Sequence, residues 1–200
     1  MDIYLDEHFD HTPFDKRLNW HCEPENWGIE DNKLLMSSDP KTDFWQKTHY
    51  GFLADNGHFL HTDIEGDFVM ETQVEYHFKN QYDQAGLMIR ISPDCWIKTS
   101  IEYEADEPNK LGAVVTHDGY SDWSTQDVND DLNIVFFQIS RVGADFFVKY
   151  REDSSSSWKQ LRMTHLSDSK IMQCGIYACS PKDKGFTAAF KYLWIGKLQG

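Results

Sequence analysis

Charged and polar side chains alternate with apolar ones along two neighbouring strand-like runs, residues 82–94 and 95–102. Because successive side chains of a strand point to opposite faces, Arg90 on the first run and Lys98 and Glu102 on the second can share one face. Side chains on adjacent antiparallel strands lie about 5 Å apart, so these three charged groups can converge. A few converging polar groups are typical of a site that binds a small polar ligand.

Five further residues complete this predicted ligand-binding set. Gln84 and Thr116 would add hydrogen bonds to a ligand, since amides and hydroxyls both donate and accept. Trp45, Trp96 and Trp123 would supply flat apolar surfaces that stack against sugar rings. The predicted ligand is therefore a carbohydrate or another small polar molecule, bound without turnover.

Two interpretations of these polar positions stay open. Gly86 lies on the same face and would leave room above the backbone for a ligand to approach. The same pattern is also typical of a solvated outer sheet face whose opposite charges pair across strands. We favour ligand binding, because two otherwise apolar strands do not need so many converging polar groups.

A pair of glutamates suggests an enzymatic alternative. Glu71 and Glu75 lie four residues apart on one face of another strand-like run, with Gln73 between them. Retaining glycosidases need two carboxyl groups about 5–5.5 Å apart, one as nucleophile and one as acid. A second set of carboxylates, within residues 102–106, runs directly into a turn. If the protein is an enzyme, a glycoside hydrolase using Glu71 and Glu75 is the class we expect.

Motifs for metal binding and for other catalytic chemistry are weak. His8 and His11 form one H-x-x-H pair and His58 and His61 another, but neither has a third ligand at a defined spacing. Zinc sites require three or four ligands. There is no G-x-S-x-G nucleophile motif and no glycine-rich phosphate loop. We therefore expect no metal and no cofactor.

The elements that must position these residues are strands, because period-two alternation dominates the chain. Residues 68–78 place mainly apolar side chains at even positions and Glu, Gln or His at odd positions from 71 onward. Near the C-terminus the same pattern predicts one shared face for five side chains, Phe186, Ala188, Phe190, Tyr192 and Trp194. Many strands and turns without a helical pattern predict an all-β, two-sheet antiparallel β-sandwich, with one domain over residues 1–200.

The 200-residue chain has a formal net charge of −14 at pH 7. Nucleic acids and anionic membranes attract clustered Lys and Arg, so this acidic balance argues against both as partners. A sugar or a protein partner is compatible with it. The N-terminus shows no secretory segment, and no apolar run approaches the roughly 20 residues of a membrane span. We therefore expect a cytoplasmic protein.

Several segments, taken together, carry a family resemblance. They are residues 82–90, 96–98 and 101–103, with further segments at 43–45, 49–51, 66–68, 114–116, 121–124, 175–181 and 185–186. In this order they resemble an uncharacterised, regulation-of-enolase-like family of concanavalin A-like jelly rolls. The resemblance implies a sandwich of the lectin/glucanase superfamily and a link to sugar metabolism. A protein-interaction module that acts on a metabolic enzyme is therefore a further alternative.

Overall fold

The computed structural model describes residues 2–198, which form strands joined by turns and loops. Seventeen strands occur in this range, arranged as two large antiparallel sheets and one separate hairpin. Nowhere in the described range is there a helix long and apolar enough to cross a membrane. The predicted all-β, two-sheet antiparallel sandwich is confirmed.

One sheet, here called the back sheet, contains eight strands. In chain order they are β1 (Ile3–Glu7), β3 (Asn26–Glu30), β4 (Lys33–Ser37), β8 (Phe68–His77), β13 (Ile134–Val142), β14 (Asp145–Arg151), β15 (Lys159–His165) and β17 (Thr187–Lys197). Their order across the sheet is β15–β14–β13–β8–β17–β4–β3, and β1 also pairs with β17. The two neighbouring strands β8 and β17 come from distant parts of the chain, so the back sheet depends on long-range pairing.

The other sheet, here called the front sheet, contains seven strands. In chain order they are β2 (Asn19–His21), β7 (His58–Glu65), β9 (Gln84–Ser92), β10 (Cys95–Glu102), β11 (Lys110–His117), β12 (Tyr120–Asp127) and β16 (Ile171–Cys179). Their order is β12–β11–β10–β9–β16–β7–β2, which puts β9 at the centre. The separate hairpin pairs β5 (Phe44–Gln46) with β6 (Leu53–Asp55).

The main core lies between the two sheets and is formed by side chains from one face of each long strand. On β8 every side chain at an even position is buried, and from Glu71 onward the odd positions are more exposed. On β9 the inward-facing residues are Ala85, Leu87 and Ile89, all fully buried. A half-buried sheet requires this alternation, because only one of its faces meets the partner sheet. The strand predicted over residues 68–78 is confirmed and ends at His77.

The alternation predicted for the last strand is interrupted by a β-bulge. The register of β17 shifts between Phe190 and Leu193. Beyond the shift Leu193 and Ile195 are fully buried in the core, while Tyr192 and Trp194 are only partly buried. An extra residue in a strand reverses the face of every residue that follows it. The prediction that Tyr192 and Trp194 share the face of Phe190 is therefore wrong.

Gly86 in β9 is required by the close approach of the neighbouring strand. A Cβ atom added at Gly86 would lie 1.9 Å from the backbone carbonyl oxygen of Thr99 on β10. The space predicted to admit a ligand at Gly86 is thus already occupied by backbone, and that prediction is wrong.

We expect Gly86→Ala to lower the free energy of unfolding by about 1–3 kcal/mol or more, because overpacking against rigid backbone forces the strands apart. Gly28→Ala is the matched control, since a Cβ at Gly28 in β3 would meet no atom within 4 Å. Denaturant unfolding of both variants measures the difference. Equal stability of the two variants would show that the close β9–β10 contact does not require glycine at position 86.

Candidate functional site

The two polar strands identified from the sequence pair as predicted. β9 and β10 are antiparallel neighbours, with Gln84 opposite Glu102 and Arg90 opposite Trp96. Lys98 lies between these pairs, opposite Met88. These positions alternate with the residues that enter the main core, so they lie on the outer side of the front sheet. We call Gln84, Arg90, Lys98 and Glu102 the polar face.

Much of the polar face is covered by a loop from the N-terminal part of the chain. Residues 39–57, here called the covering loop, include the β5–β6 hairpin and pass over the outer side of the front sheet. Phe44 of this loop is fully buried, and its ring centroid lies 6.2 Å from those of both Trp96 and Tyr177. These rings belong to a second apolar cluster, separate from the main core. The face is therefore packed where Phe44 enters it.

Lys98 fastens the covering loop to the sheet. Its Nζ donates to the Asp43 carboxylate at 3.1 Å and to the carbonyl oxygen of Phe44 at 2.7 Å. It also lies 5.6 Å from the ring centroid of Trp96 and 5.8 Å from that of Tyr177. Only 3% of the Lys98 side chain is exposed. The ammonium group is thus neutralised within the protein.

Arg90 holds the other end of the covering loop. Its guanidinium donates to both carboxylate oxygens of Asp55, at 3.2 and 2.7 Å, and to the side-chain oxygen of Gln173 at 3.3 Å. A bidentate pair of this kind fixes orientation as well as charge. The structure therefore places Arg90 beneath the end of β6, outside the open part of the site.

An open pocket of about 1020 Å³ remains between the covering loop and the loop that follows β10. This volume matches the upper end of ordinary small-molecule sites, roughly 300–1000 Å³. Three members of the polar face, Gln84, Lys98 and Glu102, form its floor. Its aromatic walls are Trp45, Tyr50, Phe52, Tyr82 and Trp123. The pocket combines a polar base with flat apolar sides.

Glu102 is the central polar group of the floor. Its carboxyl accepts a hydrogen bond of 2.8 Å from the side-chain amide of Gln84, whose oxygen in turn accepts one of 3.3 Å from Tyr177. Loss of solvent raises the pKa of Glu102 to about 8, against a smaller opposing effect of Lys98; the charge of Asp43 raises it further. A carboxyl group in this state is largely protonated at neutral pH. It can therefore donate a hydrogen bond or, when a cation arrives, release its proton.

The structure separates the other predicted ligand-binding residues into two groups. Trp45 and Trp123 line the pocket, as their predicted stacking role requires. Trp96 is fully buried under Phe44, so neither of its ring faces is open to a sugar. Thr116 is also fully buried and shares a hydrogen bond of 2.8 Å with Ser121. For Trp96 and Thr116 the structure thus offers a packing role in place of the predicted one.

The predicted carboxylate pair lies on the other sheet. Glu71 and Glu75 are on the outer side of β8 in the back sheet and do not line the pocket. Glu71 accepts a hydrogen bond of 2.7 Å from Gln138, and Glu75 forms an ion pair with Lys33 at 2.5 Å. Both carboxylates therefore have the cross-strand partners that are common on a solvated sheet face.

One group of three potential metal ligands lies close together in the described part of the chain, namely Glu7, Asp10 and His11. Both carboxylate oxygens of Glu7 accept 2.6 Å hydrogen bonds from backbone N–H groups, those of Phe9 and Asp15. Backbone donors thus account for the burial of Glu7 without an ion.

Neither member of the second histidine pair belongs to such a group of three potential ligands among residues 2–198. The two ring nitrogens of His58 meet the carbonyl oxygen of Cys22 at 2.6 Å and the backbone N–H of Asp39 at 3.0 Å. His61 stacks on Phe59, and burial lowers its pKa to about 4. These histidines have structural partners, and the expected absence of a metal stays a prediction.

The prediction from sequence did not include three residues that shape the site, namely Asp43, Phe44 and Asp55. The only local signals are that Asp43 and Phe44 precede Trp45 and that Asp55 begins a turn at residues 55–57. Neither signal indicates which strand such residues contact.

Comparison with known sequences gives a family match over most of the chain. The profile of the family described as "Protein of unknown function (DUF1349)" matches residues 20–197. The chain is also 31% identical to "Regulation of enolase protein 1" of Saccharomyces cerevisiae over 171 residues, which are 86% of this chain and 85% of the yeast protein.

Comparison with solved structures agrees with the two-sheet sandwich described above. A functionally unknown protein from Saccharomyces cerevisiae matches with a TM-score of 0.86 and 29% identity, covering 92% of this chain and 98% of that one. The GH43 protein BlXynB of Bacillus licheniformis matches with a TM-score of 0.78 and 13% identity, covering 99% of this chain and 40% of that one. At this identity the second likeness concerns the fold alone.

Proposed function

The chain belongs to the DUF1349 family of proteins of unknown function, and from this membership and the pocket we propose that it binds a small polar ligand. The ligand class is a carbohydrate or sugar derivative, bound without turnover on the outer side of the front sheet. We place the protein, within the same proposal, in the cytoplasm and among the concanavalin A-like jelly rolls of the lectin/glucanase superfamily.

One observation carries the proposal: a pocket of about 1020 Å³ whose polar floor is bordered by aromatic side chains. Sugars present hydroxyl groups at their edges and C–H groups on their faces. A polar floor suits the edges, and tryptophan rings suit the faces. The covering loop is fixed at both ends by ion pairs that are largely buried, so the pocket is preformed and ligand binding need not order it.

The proposed roles differ among the residues of the site. Gln84 and Glu102 would bond ligand hydroxyls, and Trp45 and Trp123 would stack on the ring. Lys98 and Arg90 would act indirectly, by holding the covering loop in place.

Trp123→Ala is expected to weaken sugar binding by about tenfold, because loss of one stacking surface corresponds to roughly 1.4 kcal/mol. Trp158→Ala is the control, since Trp158 packs under Arg151 and does not line the pocket. A glycan array would select the sugars, and titration calorimetry with tryptophan fluorescence would measure their affinities. Absence of saturable binding by any sugar at high concentration would overturn the proposal.

A regulatory role through a protein partner is the second candidate. It is supported by the name of the yeast relative, which concerns regulation of enolase. Affinity purification from a lysate, followed by mass spectrometry, would identify a stable partner. If Trp123→Ala still binds that partner, the protein contact lies outside the pocket.

The hydrolase alternative is tested with a panel of aryl glycosides, on which wild-type protein and Glu71→Gln are compared.

A further inference from the structure

We propose that the pocket selects a ligand carrying a primary ammonium group, seated on Glu102. This inference rests on the proposed function and narrows its ligand class to amino sugars. The side-chain ammonium of lysine offers the same chemistry from a protein, and the experiment below includes it as a separate probe.

The first step of the argument is that the cation in the floor is already neutralised. Lys98 is bonded to the Asp43 carboxylate and to the Phe44 carbonyl, and it lies over two aromatic rings. An anionic ligand would have to compete with Asp43 for it. The floor therefore offers little to a phosphate or carboxylate group.

The second step is that Glu102 has no ion-pair partner within residues 2–198. Its hydrogen bond comes from Gln84, a neutral donor. Lys110, directly opposite on β11, is instead bonded to Asp127 at 2.8 Å and to Glu107 at 3.3 Å. A carboxyl group with little solvent and no countercharge is the kind of group whose ionised form a bound cation stabilises most.

The third step concerns the groups around Glu102. Asp43 on the covering loop and Glu104 after β10 add negative charge near it, and Lys98 on its own strand adds positive charge. The two other cations of the pocket, Lys41 and Lys182, are exposed, so solvent and salt screen them. The inner part of the pocket thus favours a positive ligand group.

The walls suit the same ligand. Trp45 and Trp123 line the pocket, and tryptophan attracts cations to its ring face by about 0.5–2 kcal/mol. A sugar ring bearing an ammonium group would use both properties of these side chains, the apolar face and the negative π surface.

Proton release follows from the protonation state of Glu102. Its raised pKa leaves the free carboxyl protonated below about pH 8, and a bound ammonium stabilises the carboxylate and so lowers that pKa. Binding therefore displaces one proton from Glu102 to solvent. Affinity for a ligand that stays charged must rise with pH until Glu102 is ionised in the free protein.

The experiment compares glucosamine with glucose and N-acetylglucosamine by calorimetry near pH 6.5, in two buffers of different ionisation enthalpy. We expect glucosamine to bind at least about tenfold more tightly than either neutral sugar, which corresponds to roughly 1.4 kcal/mol, and to release about one proton. Glu102→Gln keeps the size of the side chain and should abolish both the preference and the release. Glu30→Gln, at an exposed position of β3 in the back sheet and away from the pocket, should change neither.

A second arm uses Nα-acetyl-lysine amide, whose side chain stays charged across the range because its pKa is about 10.4. Its affinity for the wild-type protein should rise between about pH 6 and pH 8 and stay flat for Glu102→Gln. Binding of this probe but not of glucosamine would uphold the ammonium site and overturn its assignment to amino sugars. Equal binding of glucose and glucosamine would overturn the ammonium site and leave the sugar proposal standing. Failure of every probe would overturn the ammonium site, and a glycan array without any bound sugar would then overturn the sugar proposal as well. The wild-type data decide even if Glu102→Gln does not fold.

Discussion

Replacing Phe44 by alanine is expected to lower the free energy of unfolding by about 3–5 kcal/mol, the range for removal of a fully buried phenylalanine. Phe44 is the side chain through which the covering loop enters the sheet face, and none of it is exposed. Its ring meets Trp96 and Tyr177 edge-on, and Gly57 is packed so closely that a Cβ there would lie 2.3 Å from the Phe44 ring. A truncated side chain would leave a cavity that these rigid neighbours cannot fill.

Denaturant unfolding of Phe44→Ala measures this effect, and Phe52→Ala is its control. Phe52 lies on the same loop but is 44% exposed, so its removal should change stability by no more than about 0.5 kcal/mol. If Phe44→Ala were as stable as Phe52→Ala, the covering loop would not be part of the cooperative fold, and the preformed pocket would lose its basis.

Replacing Lys98 by methionine is expected to cost about 3–5 kcal/mol, because it leaves the carboxylate of Asp43 largely buried without its countercharge. The side chains of this pair are only 3% and 15% exposed. Methionine keeps most of the length and the apolar stem of the side chain. The loss of stability therefore measures the contribution of the charge and of its two hydrogen bonds, those to Asp43 and to the carbonyl of Phe44.

Two comparisons make this measurement specific. Lys159→Met removes an ion pair with Glu152 whose side chains are about half exposed, and it should change stability by less than about 1 kcal/mol. The double variant Lys98→Met with Asp43→Asn should recover part of the loss, because no unpaired charge stays buried. A Lys98→Met variant no less stable than Lys159→Met would mean that Lys98 does not fasten the loop.

Together these two residues explain how an outer sheet face becomes a site. An uncovered face of this composition would be the solvated surface that antiparallel sheets commonly present. The covering loop converts it into a pocket, because Phe44 anchors the loop and the pairs at Lys98 and Arg90 fix its two ends. What is left open between the loop and Glu102 is the volume in which we propose a ligand binds.

The sequence alone determined the sandwich, the pairing of β9 with β10 and the shared face of Arg90, Lys98 and Glu102. These features follow from period-two alternation and from a short turn between the two strands, which are local properties of the chain. For β17 the sequence did not determine which side chains face the core beyond Phe190, where a bulge lies. One inserted residue exchanges the two faces of the strand after it, and it leaves no clear mark in the composition.

Only the tertiary structure decided what the polar face does. The partners of Lys98 and Arg90 are Asp43 and Asp55, which lie 55 and 35 residues away in the chain. No periodicity links positions so far apart, since their contact depends on the path of an entire loop across the sheet. Alternation could therefore tell which side chains point outward, but not which of them meet protein and which meet the open pocket.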